Sequence, residues 1–331
     1  MTSNLPDSSR DIPVGARNSF RAPAAWIRLG LVIRTSIALC LLTAVTGSAA
    51  TGIPFAGTNI TPGSLFRFHA PLSTHSKMVV TRGGNPSADE AIGAIVLPPG
   101  FNPTNRYPVL IISTTSDGDA SSIGAMKRYS KAAASSGWVL FAADGPSGKP
   151  TRDDLTWRWS MLSTALARVH EEWPASRKWP VACAGFSGGA KWSAYIGSSA
   201  MRQGYSLIGV FMGGCNEDAA SIAFSYYRPG DRFKQVRFFL SSGTGDTIAT
   251  PWHHVGVRQS MEKYGFKSVR LETYVGGHQL NEPHVERALQ WFGEPATAVP
   301  VARTPPKKEP ALQKPTDREP VTEEPQDKKP E

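Results

Sequence analysis

The sequence predicts an α/β protein built on one doubly wound, mostly parallel sheet flanked by helices, and two features carry the prediction. Short apolar or β-branched runs, mostly bounded by Gly, Ser or Asp, alternate with longer amphipathic ones between roughly Ile53 and Phe292. Strand, helix, strand repeated in this way asks for a sheet covered on both faces. The same span has no internal repeat and no compositional break, so it reads as one domain. With 331 residues, 40% hydrophobic and 19% charged, the chain has a globular makeup and can bury a sizeable core.

The two ends stand apart from that domain. Arg28 and Arg34 precede an apolar run from Ser36 to Thr46 that closes on Gly47-Ser48-Ala49-Ala50. A basic flank, a short apolar stretch and a small-residue end are the parts of a secretory signal peptide, and the run falls short of the ~20 residues a spanning helix needs. Residues 1–50 are therefore expected to be a signal peptide with a preceding segment, and the protein to be exported to the periplasm or beyond. The basic flank also suits an uncleaved membrane anchor, and the long polar stretch before Trp26 leaves a downstream start codon open. Leu39 before Cys40 argues against a lipoprotein site. From Pro295 onward, Pro305, Pro310, Pro315, Pro320, Pro325 and Pro330 recur every fifth residue among Lys, Arg, Asp and Glu. Such a segment has almost nothing apolar to bury, so 295–331 is expected to be a disordered spacer, with contact to the cell envelope left open.

Within 51–294, Lys77–Arg82 and Ala91–Leu97 read as an initial strand pair, followed by a turn at Pro98-Pro99-Gly100. Tyr107–Ser113, Trp138–Ala143, Val181–Gly185, Leu207–Met212, Val236–Leu240 and Val269–Tyr274 read as strands. Ser122–Ser135, Asp154–Glu172, Lys191–Arg202, Pro251–Tyr264 and Asn281–Phe292 read as helices. The net charge of +9 owes much to Arg10, Arg17, Arg21, Arg28 and Arg34, all in the presequence. What remains forms no basic run, so no nucleic-acid partner is expected. Of three cysteines, Cys183 and Cys215 stay with the domain; each reads as a buried thiol, and a disulfide between them is left open.

Gly185-Phe186-Ser187-Gly188-Gly189 follows the strand Val181–Ala184 and precedes a helix-like run. A Gly-x-Ser-x-Gly at a strand-to-helix junction is a nucleophile elbow, whose tight turn holds the serine in an uncommon backbone conformation and needs glycines beside it. At these residues the chain resembles the α/β-hydrolase superfamily. Ile95-Val96-Leu97-Pro98-Pro99-Gly100-Phe101 and Tyr107-Pro108-Val109-Leu110-Ile111 are more loosely similar to secreted esterases of the polyhydroxybutyrate-depolymerase and feruloyl-esterase kind.

The superfamily resemblance implies a triad in the chain order Ser, acid, His. Ser187 is the implied nucleophile. Asp246, in Gly243-Thr244-Gly245-Asp246 after the penultimate strand, stands where the acid belongs, with Glu217 and Asp218 as competitors after the preceding strand. His278, after Val275-Gly276-Gly277, is the implied base. Among the other histidines, His69 and His75 are expected to precede the sheet, and His170 and His284 lie in helices. His253 and His254 read as a partly exposed helix start. The oxyanion hole is expected from the backbone N–H groups of Gly188 and Thr115. Here the chain departs from the resemblance, carrying Ser113-Thr114-Thr115-Ser116 where many members have His-Gly. No metal-ligand spacing occurs, Gly83-Gly84 is a lone turn signal, and no cofactor is expected. Trp157, Trp159, Trp192 and Trp252 read as core packing. The expected activity is hydrolysis of small-molecule or polymer carboxylic esters. A peptidase on the same fold and a catalytically silent surface-binding module are the alternatives.

Overall fold

A computed structural model describes residues 52–294 except 118–119, 147–149 and 151. The expected signal segment and the Pro-rich tail lie outside the described residues. The strands are β1 (Ile53–Phe55), β2 (Thr58–Ile60), β3 (Phe66–Pro71), β4 (Glu90–Val96), β5 (Val109–Ser113), β6 (Val139–Asp144), β7 (Val181–Phe186), β8 (Leu207–Gly213), β9 (Arg237–Gly243) and β10 (Ser268–Tyr274). β1 and β2 form a short antiparallel hairpin. The other eight make one sheet in the order β10-β9-β8-β7-β5-β6-β4-β3. Neighbours from β10 through β6 are parallel, while β4 runs antiparallel to both β6 and β3.

Helices cover both faces: α1 (Thr74–Arg82), α2 (Ser122–Ala125), α3 (Ser130–Ser135), α4 (Leu155–Glu172), α5 (Gly188–Arg202), α6 (Ala219–Tyr227), α7 (Pro251–Lys263) and α8 (Glu282–Gly293). Because successive strand residues point to opposite faces, each central strand feeds two cores at once. Val109, Ile111, Phe141, Cys183, Val210 and Phe238 meet Leu162, Leu166, Ala194 and Ile196 of α4 and α5. Leu110, Ile112, Leu140, Ala182, Phe211 and Phe239 meet Met126, Tyr129 and Ala132 on one helical segment and Val285, Leu289 and Phe292 on α8. Each fully buried Leu, Ile or Phe contributes roughly 1.5–3 kcal/mol, so these two layers, rather than helix propensity, hold the sheet in place.

Several elements differ from expectation, among them the β1–β2 hairpin, which the sequence did not single out. Lys77–Arg82 belongs to α1, not to a strand. Ser73 caps that helix by accepting from the Ser76 N–H at 3.1 Å, and Val80 is its buried residue. The strand that pairs with β4 is β3, where Phe68 and Ala70 face inward. The helix expected over Ser122–Ser135 is broken by a 3-10 turn at Met126–Arg128, and α6 has no counterpart in the sequence reading.

Cys183 and Cys215 are both free and buried. Burial pushes both thiols up, Cys215 to about 11, so neither is a thiolate at neutral pH. Among the described residues no helix is long and apolar enough to cross a membrane.

Candidate active site

Ser187 is the single residue between β7 and α5, at φ 58° and ψ −124°. A serine in that region carries strain of order 1–3 kcal/mol, so the surroundings must impose it. The Ser187 N–H donates to the Gly213 carbonyl at 2.8 Å, and its carbonyl accepts from the Ala190 N–H at 2.9 Å. Gly185 lets the strand fold back on the helix, since a β-carbon there would lie 1.9 Å from the Gly189 carbonyl oxygen. The serine hydroxyl is thereby carried at the amino end of the fifteen-residue α5, where the helix dipole favours negative charge.

His278 sits in the loop between β10 and α8. Its Nε2 is 3.0 Å from Ser187 Oγ, and its Nδ1 is 2.8 Å from Asp246 Oδ2. A carboxylate only accepts, so the network assigns the imidazole proton to Nδ1 and leaves Nε2 to accept from the serine hydroxyl. Asp246 is 3% exposed, and its Oδ1 accepts from the N–H groups of Ile248 and Ala249, both at 2.8 Å. Burial by itself would raise its pKa. The hydrogen bonds from His278, Ala249 and Ile248, with the charge of His278, outweigh burial and hold the carboxyl below its ordinary value.

The two loops that carry Asp246 and His278 are stitched together. Gly245 N–H donates to the Gly276 carbonyl at 2.8 Å, and Thr244 N–H to the Tyr274 carbonyl at 2.9 Å. The Tyr274 hydroxyl reaches the Gly277 carbonyl at 3.0 Å and also contacts the Gln279 carbonyl, bracketing His278. On its other side the imidazole packs against Phe186, ring centres 4.7 Å apart. Gly214 lies beneath both rings at φ 58°; a β-carbon there would be 2.7 Å from Phe186 and 3.0 Å from His278 Cε1. Gly214 and Phe186 were not singled out from sequence for this role, although Phe186 lies inside the elbow pentapeptide.

The competing acids are engaged elsewhere. Glu217 pairs with Lys191 at 2.7 Å. Asp218 caps α6 by accepting from the Ser221 N–H at 2.9 Å, and also accepts from the Ser260 hydroxyl. Neither has a hydrogen bond or ion pair to His278 among the described residues.

Thr115 follows β5, and Gly188 opens α5. A β-carbon on Gly188 would lie 3.3 Å from Thr115 Cα, so the two backbones adjoin. The Thr115 hydroxyl donates to Asp117 at 2.8 Å, whereas the backbone N–H groups of Thr115 and Gly188 have no acceptor among the described residues. A cavity of about 520 Å³ opens beside this segment, lined in part by Ile112, Thr115, Asp144, Trp157 and Arg158. That volume is ordinary for a small-molecule site, though Ser187, Asp246 and His278 do not line it.

His69 lies on β3, within the sheet rather than before it, and its Nδ1 is 2.9 Å from Glu90; His170, His253, His254 and His284 have structural places. His254 is fully buried rather than partly exposed; its Nε2 accepts from the Cys215 N–H at 3.1 Å, and burial lowers its pKa. His253 closes a capping box with Thr250. His170 contacts Ser176 and Tyr205, and His284 contacts Ser241. Burial pushes both down to about 4, with Arg177 and Arg287 adding to the effect. Trp252, expected in the core, is 42% exposed, while Trp157 is buried and Trp159 and Trp192 are partly so. Among the described residues no cluster of His, Cys, Asp and Glu is arranged to hold a metal ion.

No protein-family model matches the chain, and no curated protein does. Among solved structures, the Staphylococcus aureus fluorophosphonate-binding serine hydrolase F is 10% identical, with a TM-score of 0.50 over 70% of this chain and 99% of that one. A ferulic acid esterase is 14% identical, with a TM-score of 0.46 over 69% of this chain and 98% of that one. A Bacteroides ovatus protein assigned as a dipeptidyl aminopeptidase IV is 13% identical at a TM-score of 0.45, covering 69% of this chain. The chain spans 36% of that protein's length. Identities this low speak to architecture alone.

Proposed function

We propose that this chain, which has the α/β-hydrolase fold, is an exported serine hydrolase that cleaves carboxylic esters through an acyl-enzyme. One observation carries the reading: an unbroken hydrogen-bond chain from Asp246 through His278 to Ser187, ending at a helix amino terminus beside two backbone N–H groups that have no acceptor among the described residues. In the first half-reaction Ser187 Oγ attacks the ester carbonyl while His278 Nε2 takes its proton. The developing oxyanion accepts from the N–H groups of Thr115 and Gly188, and Asp246 stays ionised to stabilise the imidazolium. His278 then returns the proton to the leaving alcohol. In the second half-reaction water attacks the acyl carbon, gives its proton to His278, and releases the acid with Ser187 restored.

The substrate class proposed is a small-molecule or polymer ester, and export rests on the makeup of residues 1–50. Labelling with a fluorophosphonate tests the nucleophile: modification confined to Ser187 is expected, and an unlabelled protein would refute the reading. A series of p-nitrophenyl esters compared with the matching p-nitroanilides then tests ester against amide. Sequencing the amino terminus of the mature protein after secretion tests export.

A further inference from the structure

The segment 113–116, which carries the Thr115 N–H, lacks the His-Gly of the resemblance. Something must aim that N–H. Thr115 N–H and Thr114 C=O are opposite ends of one planar peptide group, so whatever fixes the carbonyl fixes the donor. Arg158, on α4, fixes it: Nη1 donates to the Thr114 carbonyl at 2.8 Å. The same guanidinium grips Asp153 with two bonds, Nε to Oδ1 at 2.7 Å and Nη2 to Oδ2 at 2.6 Å. Its face lies 4.5 Å from the ring centre of Trp192 on α5. Ser116 Oγ accepts from Trp192 Nε1 at 3.1 Å and lies 3.5 Å from Arg158 Nη2. The Arg158 side chain is 13% exposed.

Two consequences follow from that placement. A planar fork held at three points has little rotational freedom, so Thr114 and Ser116 are clamped on either side of Thr115. A charge-assisted bond to a peptide oxygen also polarises the peptide, making its N–H a stronger donor. We propose that Arg158 is a positioning residue for the oxyanion hole, aiming and polarising the Thr115 N–H through the Thr114–Thr115 peptide. The proposal rests on the reading of Thr115 as an oxyanion donor.

The test compares full-length wild type with Arg158→Lys and with Arg158→Met/Asp153→Asn, the double change removing the carboxylate that a lone Arg158→Met would strand. Two quantities are read: kcat and KM for a p-nitrophenyl ester, and affinity for a trifluoromethyl ketone. Ser187 Oγ adds to that ketone's carbonyl carbon, the proton passes to His278, and the former carbonyl oxygen becomes an oxyanion in the hole. In the double variant kcat is expected to fall about 10²-fold, the size of effect seen for one misplaced oxyanion donor, with KM changed by less than about threefold. Ketone affinity should fall in proportion to kcat/KM, and Arg158→Lys should recover part of both. A residue that served folding alone would lower melting temperature without moving kcat or ketone affinity.

Should the double variant fail to fold, Trp192→Phe keeps a ring under the guanidinium but removes the donor to Ser116, and a smaller parallel loss in kcat and ketone affinity is expected. Arg168→Met, on the same helix but paired with Glu171 and Glu172, should leave both readouts unchanged. A folded Arg158 variant with kcat within about threefold of wild type, or a Trp192→Phe protein with unchanged ketone affinity, overturns the clamp. Wild type with no ester hydrolysis, or Ser187→Ala with full activity, overturns instead the reading on which the clamp rests.

Discussion

Asp246→Asn changes one oxygen to an amide nitrogen, and the surroundings dictate where that nitrogen goes. Asp246 Oδ1 accepts from two backbone N–H groups, those of Ile248 and Ala249. An Asn NH2 turned toward them would set donor against donor in a buried place, so the carbonyl oxygen must stay there and the NH2 must face His278 Nδ1. The imidazole then accepts at Nδ1 and carries its proton on Nε2, pointing at Ser187 Oγ, where it is unable to take the serine proton. Loss of the correct tautomer at a buried triad costs about 10⁴-fold in turnover, equivalent to about 5.4 kcal/mol of barrier. The assay is hydrolysis of p-nitrophenyl acetate alongside the rate of fluorophosphonate labelling, since both need the serine proton removed. Asp218→Asn, which touches only a helix cap and the Ser260 hydroxyl, and Glu217→Gln, which loses one half-exposed ion pair, should each change turnover by less than about tenfold. An Asp246→Asn protein within tenfold of wild type, or a crippling Asp218→Asn or Glu217→Gln, would refute the reasoning.

Ser187→Ala is expected to abolish labelling and reduce esterase turnover by ~10⁴-fold or more, with circular dichroism unchanged; retained labelling would remove Ser187 from the mechanism. Gly214→Ala places a methyl group 2.7 Å from Phe186 and 3.0 Å from His278 Cε1 at a positive φ, so the imidazole must shift. We expect about 10²-fold lower kcat with the protein still folded, and wild-type kcat would show that the imidazole tolerates displacement. His170 and His284 are held at about 4, below the roughly 6.5 of an unfolded histidine. The unfolded chain therefore binds more protons between these values, and the stability tied to two neutral histidines, complete above 6.5, is lost as pH falls toward 4. A urea midpoint clearly lower at pH 5 than at pH 7 is expected, and replacing both histidines by Gln should flatten that difference. Equal wild-type midpoints at the two pH values would contradict the shifts.

The central sheet was legible because its strands are buried on both faces, and such strands announce themselves as short apolar runs. The edges were not. Lys77–Arg82 contains Val79-Val80-Thr81, a β-branched triplet that local propensity reads as strand, yet Ser73 caps it and Val80 alone is buried, so tertiary packing decides for helix. β3 alternates Phe, Arg, Phe, His, Ala and Pro, too short and mixed to stand out from sequence. The positions of Ser187, Asp246 and His278 were legible because each follows a strand end in a glycine-marked loop. Arg158 was not, because along the chain it is one more polar residue on an amphipathic helix. Its partners Thr114, Ser116 and Trp192 are brought to it only by the packing of α4 and α5 on the sheet. His254 shows the converse limit: its neighbours in sequence suggest a surface, while the Cys215 N–H it accepts lies across the fold.

β5 and β7 are hydrogen-bonded neighbours with Ser113 opposite Gly185, so Thr115 and Ser187 each stand two residues past a locked pair. The spacing between the proposed nucleophile and the proposed oxyanion donor is thus metered by the ladder, not by the chain that wanders through β6 and α4 in between. A slip of one residue would displace one against the other by about 3.3 Å and exchange the side chains of β7 between the two cores, which their packing forbids. Apart from Asp153 and Arg158, the segment that leaves the sheet after β6 and returns at β7 carries no such constraint. For an engineer this separates two tasks: the connection leading into α2 past Ser116 can be exchanged to recast the neighbouring cavity, while Asp153 and Arg158 at the start of α4 are kept and the reacting distances stay put. A library of grafted connections should therefore change which esters are accepted far more often than it destroys the capacity to hydrolyse them.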